Sequence, residues 1–160
     1  MGFEIGFIRG YLIFAGYCPP GWKNLNGTTC YYFSGDQKSW TQAESFCRNI
    51  RTGSKLAEPK DPNTNKILYD AAVSRIYGSM YWIGIKEVGS SWKWASDGST
   101  VAWMNWNPGE PGESKIRQRC VVMWVGNGEK RWDQWCTGGV GYYICELCWS
   151  CLHLKIINVF

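Results

Sequence analysis

The 160-residue chain contains one histidine, His153, and it lies near the end. A single imidazole outside the body of the chain leaves no general base for a Ser–His or Cys–His pair, and His-Glu-x-x-His is absent. No glycine-rich phosphate cradle is present, since Gly138-Gly139-x-Gly141 reads as a turn. Charge is sparse: 19% of residues are charged, and 17 Lys and Arg against 13 Asp and Glu give a net +4. That excess is too mild to argue for a nucleic-acid partner. No apolar run approaches the roughly 20 residues of a spanning helix, so no transmembrane segment is expected. Internal repeats and low-complexity tracts are missing. These absences disfavour an enzyme, a nucleic-acid binder and a membrane span.

Cysteine and aromatic residues are abundant instead, with 8 Cys, 11 Trp and 9 Tyr. An aromatic fraction of 16% excludes a disordered chain, and the length suits one domain with a real core. The cysteine count predicts an oxidising compartment, hence a secreted, extracellular protein whose disulfides supplement that core. The spacing Cys145-x-x-Cys148-x-x-Cys151, with His153 nearby, has the look of a zinc or iron–sulfur site. No second ligand pair accompanies it, and a tail with a spare or mutual disulfide is the simpler reading. Asn26-Gly27-Thr28 is a glycosylation sequon in a turn, so Asn26 is a candidate glycan acceptor of a glycoprotein.

Three segments are expected. Residues 1–17 form an apolar leader interrupted by Arg9, either a poor or truncated signal or an ordinary apolar strand. Residues 18–147 form the domain, and 148–160 a short apolar tail with two further cysteines. Within the domain, Ser39 is a helix N-cap, with Trp40, Ala43, Phe46 and Cys47 on one apolar face. Asp61-Pro62 starts a second helix, in which Ile67, Leu68, Ala71, Ala72 and Ile76 recur at helical spacing. Strands are expected at Cys30-Tyr31-Tyr32-Phe33, Tyr81–Ile85, Trp92–Trp94, Val121–Val125 and Gly141–Cys145. The stretch Asn105–Ser114, rich in Pro and Gly, is a long loop. Helices early with short strands late make an α+β fold.

Four motifs in order resemble those of the C-type lectin-like domain family. They are Trp82-Ile83-Gly84-Ile85, Trp106-Asn107-Pro108-Gly109-Glu110-Pro111, Trp132-Asp133-Gln134-Trp135-Cys136 and Tyr143-Ile144-Cys145-Glu146. The resemblance covers Cys18 to about Leu147. It implies two helices, short antiparallel strands and a long loop. It also implies the disulfides Cys18–Cys30, Cys47–Cys145 and Cys120–Cys136, the first marking the long form of the domain.

In sugar-binding members of that family, calcium sits in the long loop and two sugar hydroxyls complete its oxygen shell. Carried over residue by residue, the resemblance makes Glu110, Gln118 and Asp133 the calcium ligands. Pro111 is the proline that follows a cis peptide. The ligand-binding set is then Glu110, Pro111, Gln118, Trp132 and Asp133. The departures weaken the site: Gly112 stands for an Asn, Trp132 for an Asn, and Gln118 for a carboxylate. Two carboxylates bind a hard cation less well than three or four, so Ca2+ dependence is expected to be slight. Lys86 and Arg119 stand where a second, structural calcium site expects acid. Glu110-Pro111 leans toward mannose-type rather than galactose-type sugars, and Gly112 makes the lean small. Trp132 and Trp135 flank Asp133 and offer aromatic faces on which a sugar ring stacks, unless they belong to the core. The Glu110 and Asp133 pair also admits a glycosidase, but a ligand pair fits this fold better. The expected function is carbohydrate or glycoprotein recognition. The rival is a calcium-independent lectin-like domain that binds a protein, an anionic glycan or a mineral surface.

Overall fold

The computed structural model describes residues 5–8, 11–14, 18–112, 120–126, 132–134 and 138–148. Two caps start its two helices. At α1 (Trp40–Ile50), Ser39 accepts from the Gln42 backbone N–H while the Gln42 side chain accepts from the Ser39 N–H, a reciprocal capping box. At α2 (Pro62–Val73), the Asp61 carboxylate accepts from the Asn63 and Thr64 backbone N–H groups, and Pro62 opens the first turn. The buried face of α1 is Trp40, Ala43 and Cys47, with Phe46 half-buried beside it. The buried face of α2 is Asn65, Leu68, Tyr69 and Ala72. Ile76, expected on that face, lies beyond the helix end and is exposed, because α2 stops at Val73.

Ten strands accompany the helices among the described residues. β1 (Ile5–Ile8) and β2 (Tyr11–Phe14) pair antiparallel as a separate hairpin. The main sheet runs in the order β3 (Lys23–Asn24), β4 (Thr29–Phe33), β10 (Tyr142–Cys148), β6 (Ser79–Val88), β8 (Cys120–Val125) and β9 (Trp132–Gln134). Off this path, β5 (Ser54–Leu56) pairs with β10 and β7 (Ser91–Trp94) pairs with β6. The chain is therefore α+β, with a parallel β6–β10 pair inside an otherwise antiparallel sheet.

The central strands of the sheet are buried on both faces, which explains why they read as unbroken apolar runs. Successive strand residues point to opposite faces. Tyr81, Ile83, Ile85, Val121, Met123, Val125 and Ile144 face α2 in one cluster. Trp82, Val122, Tyr143, Cys145 and Leu147 face α1 in the other. Gly84 sits where nothing larger fits: a Cβ there would lie 2.9 Å from Glu58 Cγ and 3.0 Å from the Leu56 carbonyl oxygen.

Two disulfides lie wholly within the described residues, Cys18–Cys30 and Cys47–Cys145. The second joins α1 to β10 across 98 residues, worth about 4.7 kcal/mol by the chain-entropy model. Cys120 and Cys148 are also disulfide-bonded, to partners outside the described residues. Cys136, expected to pair with Cys120, lies outside them too. The Cys145-x-x-Cys148-x-x-Cys151 metal reading is overturned, since Cys145 and Cys148 are both disulfide sulfurs.

Behind β5 lies a buried ionic cluster. The Glu58 carboxylate accepts from the Ser96 N–H (2.9 Å) and hydroxyl (3.0 Å), and pairs with Lys55. Lys55 also pairs with Glu146, whose other oxygen accepts from the Glu58 backbone N–H. Burial pushes the Glu146 carboxyl above the usual glutamate range against the opposing pull of Lys55.

Candidate functional site

The site is assembled on the chain that follows β7. The Val101 N–H donates to the Trp92 carbonyl and Thr100 bridges to Lys93, which extends the β7 hairpin and delivers the chain to Trp103. Among its described residues beyond Trp103 the loop belongs to no named strand, and Trp132 of β9 supplies backbone partners. Its N–H donates to the Asn105 carbonyl (2.7 Å) and its carbonyl accepts from the Asn107 N–H (2.9 Å). A turn follows, with the Glu110 N–H donating to the Asn107 carbonyl at 2.9 Å. Pro108 and Gly109 are its central residues, and Gly109 has φ +86°, as a type II turn requires. The Glu110–Pro111 peptide is cis. One Glu110 carboxylate oxygen accepts from the Gly112 N–H at 3.0 Å, and the side chain is partly exposed.

Beneath the loop lies a tryptophan cluster. The Trp132 ring meets Trp103 edge-on at 5.1 Å and Trp106 edge-on at 6.1 Å, while Trp106 lies 4.8 Å from Trp92. The Trp132 indole N–H donates to Asn65 Oδ1 on α2 at 2.7 Å. Trp132 is 0% exposed. The expectation that its ring stacks on sugar is therefore corrected: the ring is core, and it offers solvent no face. The residue's role is to hold the loop through its backbone and to anchor that loop to α2 through its indole.

Asp133 follows Trp132 and is half-buried, paired in register with Val122. Neighbours on a strand point to opposite faces, so the burial of Trp132 turns Asp133 the other way. The clamp at Trp132 thus brings the loop that carries Glu110 against the strand that carries Asp133. Gln118 and Trp135 lie outside the described residues, as do Arg119 and Glu113. Lys86 pairs in register with Cys120, and its ammonium lies 6.0 Å from the Trp40 ring. A separate open pocket lies along the first turn of α1, edged by Lys86 and Val88 above Trp40 and Trp82. None of the residues expected to bind ligand lines it.

A model of the lectin C-type domain matches residues 36–147, most of the chain. The chain belongs to the C-type lectin domain family. A C-type lectin described as a mannose-binding isoform, from Oxyuranus scutellatus, is 32% identical over 133 residues, which is 81% of this chain and 82% of the relative. The carbohydrate-recognition domain of the mouse scavenger receptor C-type lectin superposes with a TM-score of 0.68 at 30% identity, covering 81% of this chain and 94% of that one. A protein described as a calcium-independent type II antifreeze protein superposes equally well, with a TM-score of 0.68 at 28% identity over 82% of this chain and 95% of that one. Against this C-type lectin frame, the donor chemistry for a metal is thin. Among the described residues no three acidic, histidine or cysteine side chains gather as a metal site would have them. Glu110 and Asp133 fit a hard cation in kind, as carboxylate oxygens, but a shell of six to eight oxygens would need backbone carbonyls, Gln118 and water besides.

Asn65 was not among the residues singled out from the sequence. Its signal was position: it falls at helical spacing with Leu68, Tyr69 and Ala72 on the buried face of α2. A polar residue on an apolar face is either an error or a partner for something buried, and here the partner is the Trp132 indole.

Proposed function

We propose that the protein is a secreted or cell-surface recognition module that binds carbohydrate through the loop carrying Glu110, with slight calcium dependence. The observation that carries this reading is the double backbone bond from Trp132 to Asn105 and Asn107. It ties Asn105 and Asn107 to β9 just before the point where a C-type lectin would present its ligand-binding carboxylate. Preorganised acceptors lose little entropy when they take hydrogen bonds from sugar hydroxyls. Glu110, with one oxygen oriented by Gly112, and Asp133 are those acceptors, and Pro111 and Gln118 complete the expected ligand-binding set. The same carboxylates would hold Ca2+, which would supply a charged centre for paired hydroxyls. With two carboxylates and neutral Gln118, that hold is weak. The Glu110-Pro111 pair and a relative described as mannose-binding support a slight lean to mannose-type sugars, free or on a glycoprotein. The two disulfides support an oxidising, extracellular setting, and no helix among the described residues is long and apolar enough to cross a membrane.

A second reading rests on the same shortage of acid and on the likeness to a protein described as calcium-independent. Here the loop binds a protein, an anionic glycan or a mineral surface without metal. Glycan-array binding with and without chelator separates the two. Binding lost in chelator and in Glu110→Gln supports the calcium route. Binding that survives chelator sinks it, and no glycan binding at all favours a protein or mineral partner.

A further inference from the structure

We propose that Asn26 carries an N-linked glycan and that this glycan shields the outer edge of the sheet, at the end away from the ligand loop. The proposal rests on the extracellular reading above, because the sugar donor is met only in the secretory pathway. Asn26, Gly27 and Thr28 are all exposed in the turn between β3 and β4. The turn is held by side-chain oxygens. Asn24 Oδ1 accepts from the Gly27 N–H at 2.7 Å. Asn26 Oδ1 accepts from the Thr28 N–H at 3.2 Å, the Thr29 N–H at 2.9 Å and the Thr28 hydroxyl at 3.4 Å. The hydroxyl that completes the sequon therefore already lies against the Asn26 amide.

The amide nitrogen plays a smaller part. Asn26 Nδ2 donates to the Tyr31 hydroxyl at 3.4 Å, the long end of the hydrogen-bond range. The atom that would be modified is thus not the atom that holds the turn. Attack of Nδ2 on C1 of a lipid-diphosphate-linked oligosaccharide forms the N–C1 bond and breaks the C1–O bond. The lipid diphosphate leaves with the electron pair, and one Nδ2 proton goes to a base of the transferase. Oδ1 keeps its two backbone donors, the Thr28 and Thr29 N–H groups, and one N–H remains for Tyr31. Gly27, with φ +84°, supplies the left-handed conformation the turn uses, and a Cβ built there would meet no neighbour within 4 Å.

The placement of this turn gives the glycan its role. Among the described residues, β3 is the outermost strand on one side of the main sheet and β9 on the other. Inter-strand spacings of about 4.8 Å put those edges roughly 24 Å apart along the sheet. An open edge strand is a template for pairing with a second chain. A glycan at Asn26 covers the two-residue edge of β3, which ends at Asn24, while the Glu110 loop stays uncovered at the far edge.

The test expresses the full chain behind a secretion leader in a eukaryotic host and reads intact mass, self-association by light scattering, and glycan-array binding. The wild-type chain should carry one oligosaccharide that a peptide N-glycosidase removes. Thr28→Ala should lose it, and so should Asn26→Asp, which keeps the Oδ1 acceptor and hence the turn. Deglycosylated protein should self-associate at least twofold more at a given concentration, with array binding unchanged. Secreted wild-type chain of unmodified mass overturns the modification, and deglycosylated chain that stays as monomeric as the glycosylated form overturns the shielding. Loss of array binding together with a normal glycan would refute the ligand reading alone.

Discussion

The bond between Trp132 and Asn65 makes a quantitative demand. Both groups are withdrawn from solvent, at 0% and 2% exposure, and the N–H to Oδ1 distance is 2.7 Å. Replacing Asn65 by Ala deprives a buried indole N–H of that acceptor, which costs about 1–3 kcal/mol. Taking about 2 kcal/mol, the melting temperature should fall by about 4–8 °C for a chain of this size. A double-mutant cycle with Asn65→Leu and Trp132→Phe isolates the bond from the loss of packing. Urea unfolding with the disulfides intact should return a coupling energy of about 1–2 kcal/mol. The consequence reaches the ligand loop. Hydrogen exchange at the Asn107 and Trp132 amides, which join loop and strand, should quicken in Asn65→Ala while the amides of β4 stay protected. A coupling within about 0.3 kcal/mol of zero, or loop amides that exchange as in the wild type, would refute the claim that α2 anchors the loop through this contact.

Two further outcomes follow from local geometry. Gly84→Ala places a methyl against Glu58 Cγ and the Leu56 carbonyl and should lower stability by about 1–3 kcal/mol; an unmoved urea midpoint would contradict the close packing of β6 on the Glu58 segment. Asp61→Asn tests the cap of α2 by pH. Hydrogen bonds from the Thr64 backbone N–H and hydroxyl, and from the Asn63 N–H, hold the Asp61 carboxyl below its ordinary value of 3.8. A carboxyl depressed in the folded state adds stability above its unfolded pKa and loses it as pH falls through the folded one. Asn caps nearly as well without titrating, so a wild-type advantage under about 1 kcal/mol at pH 6 should shrink as pH falls below 3.8 and vanish once the folded carboxyl is protonated. A gap that stays constant over that range would show that the charge contributes nothing.

The parts of the fold that rest on local chemistry were legible in the sequence. Ser39 and Asp61-Pro62 mark the helix starts because capping is a contest among neighbouring backbone groups, and both helices begin where those residues say. The alternation Trp92-Lys93-Trp94 was readable because β7 has one buried face. The unbroken run Tyr81–Ile85 was readable as a strand, although only the sheet shows that its two sets of side chains serve different clusters. What stayed hidden depends on residues far apart in the chain. The Lys55, Glu58 and Glu146 cluster joins β5 to the last strand, and no spacing rule brings those charges together. Trp132 was misjudged for a related reason. Its motif placed it beside a candidate ligand, but its facing was decided by β9, a three-residue strand that was not expected and whose pleat turns Trp132 inward. Gln118, Trp135 and Cys136 lie outside the described residues, so their expected roles stand as proposals.

The strand pairing near Cys148 decides how the domain bears tension. Cys148 pairs with Thr29, Leu147 with Cys30, Glu146 with Tyr31 and Cys145 with Tyr32. A pull applied through Cys18 and Cys148 enters at one end of this ladder and opens it like a zip rather than shearing it. The Cys18–Cys30 disulfide passes the load directly to β4. The zip runs for only three pairs before it reaches Cys145, which is bolted to Cys47 on α1. From there the load crosses the sulfur bridge, and the 98-residue span between those cysteines carries none of it. The ligand loop lies within that span. Tension between the two ends of the domain therefore bypasses the loop that carries Glu110, and only a pull on a molecule held there would load that loop.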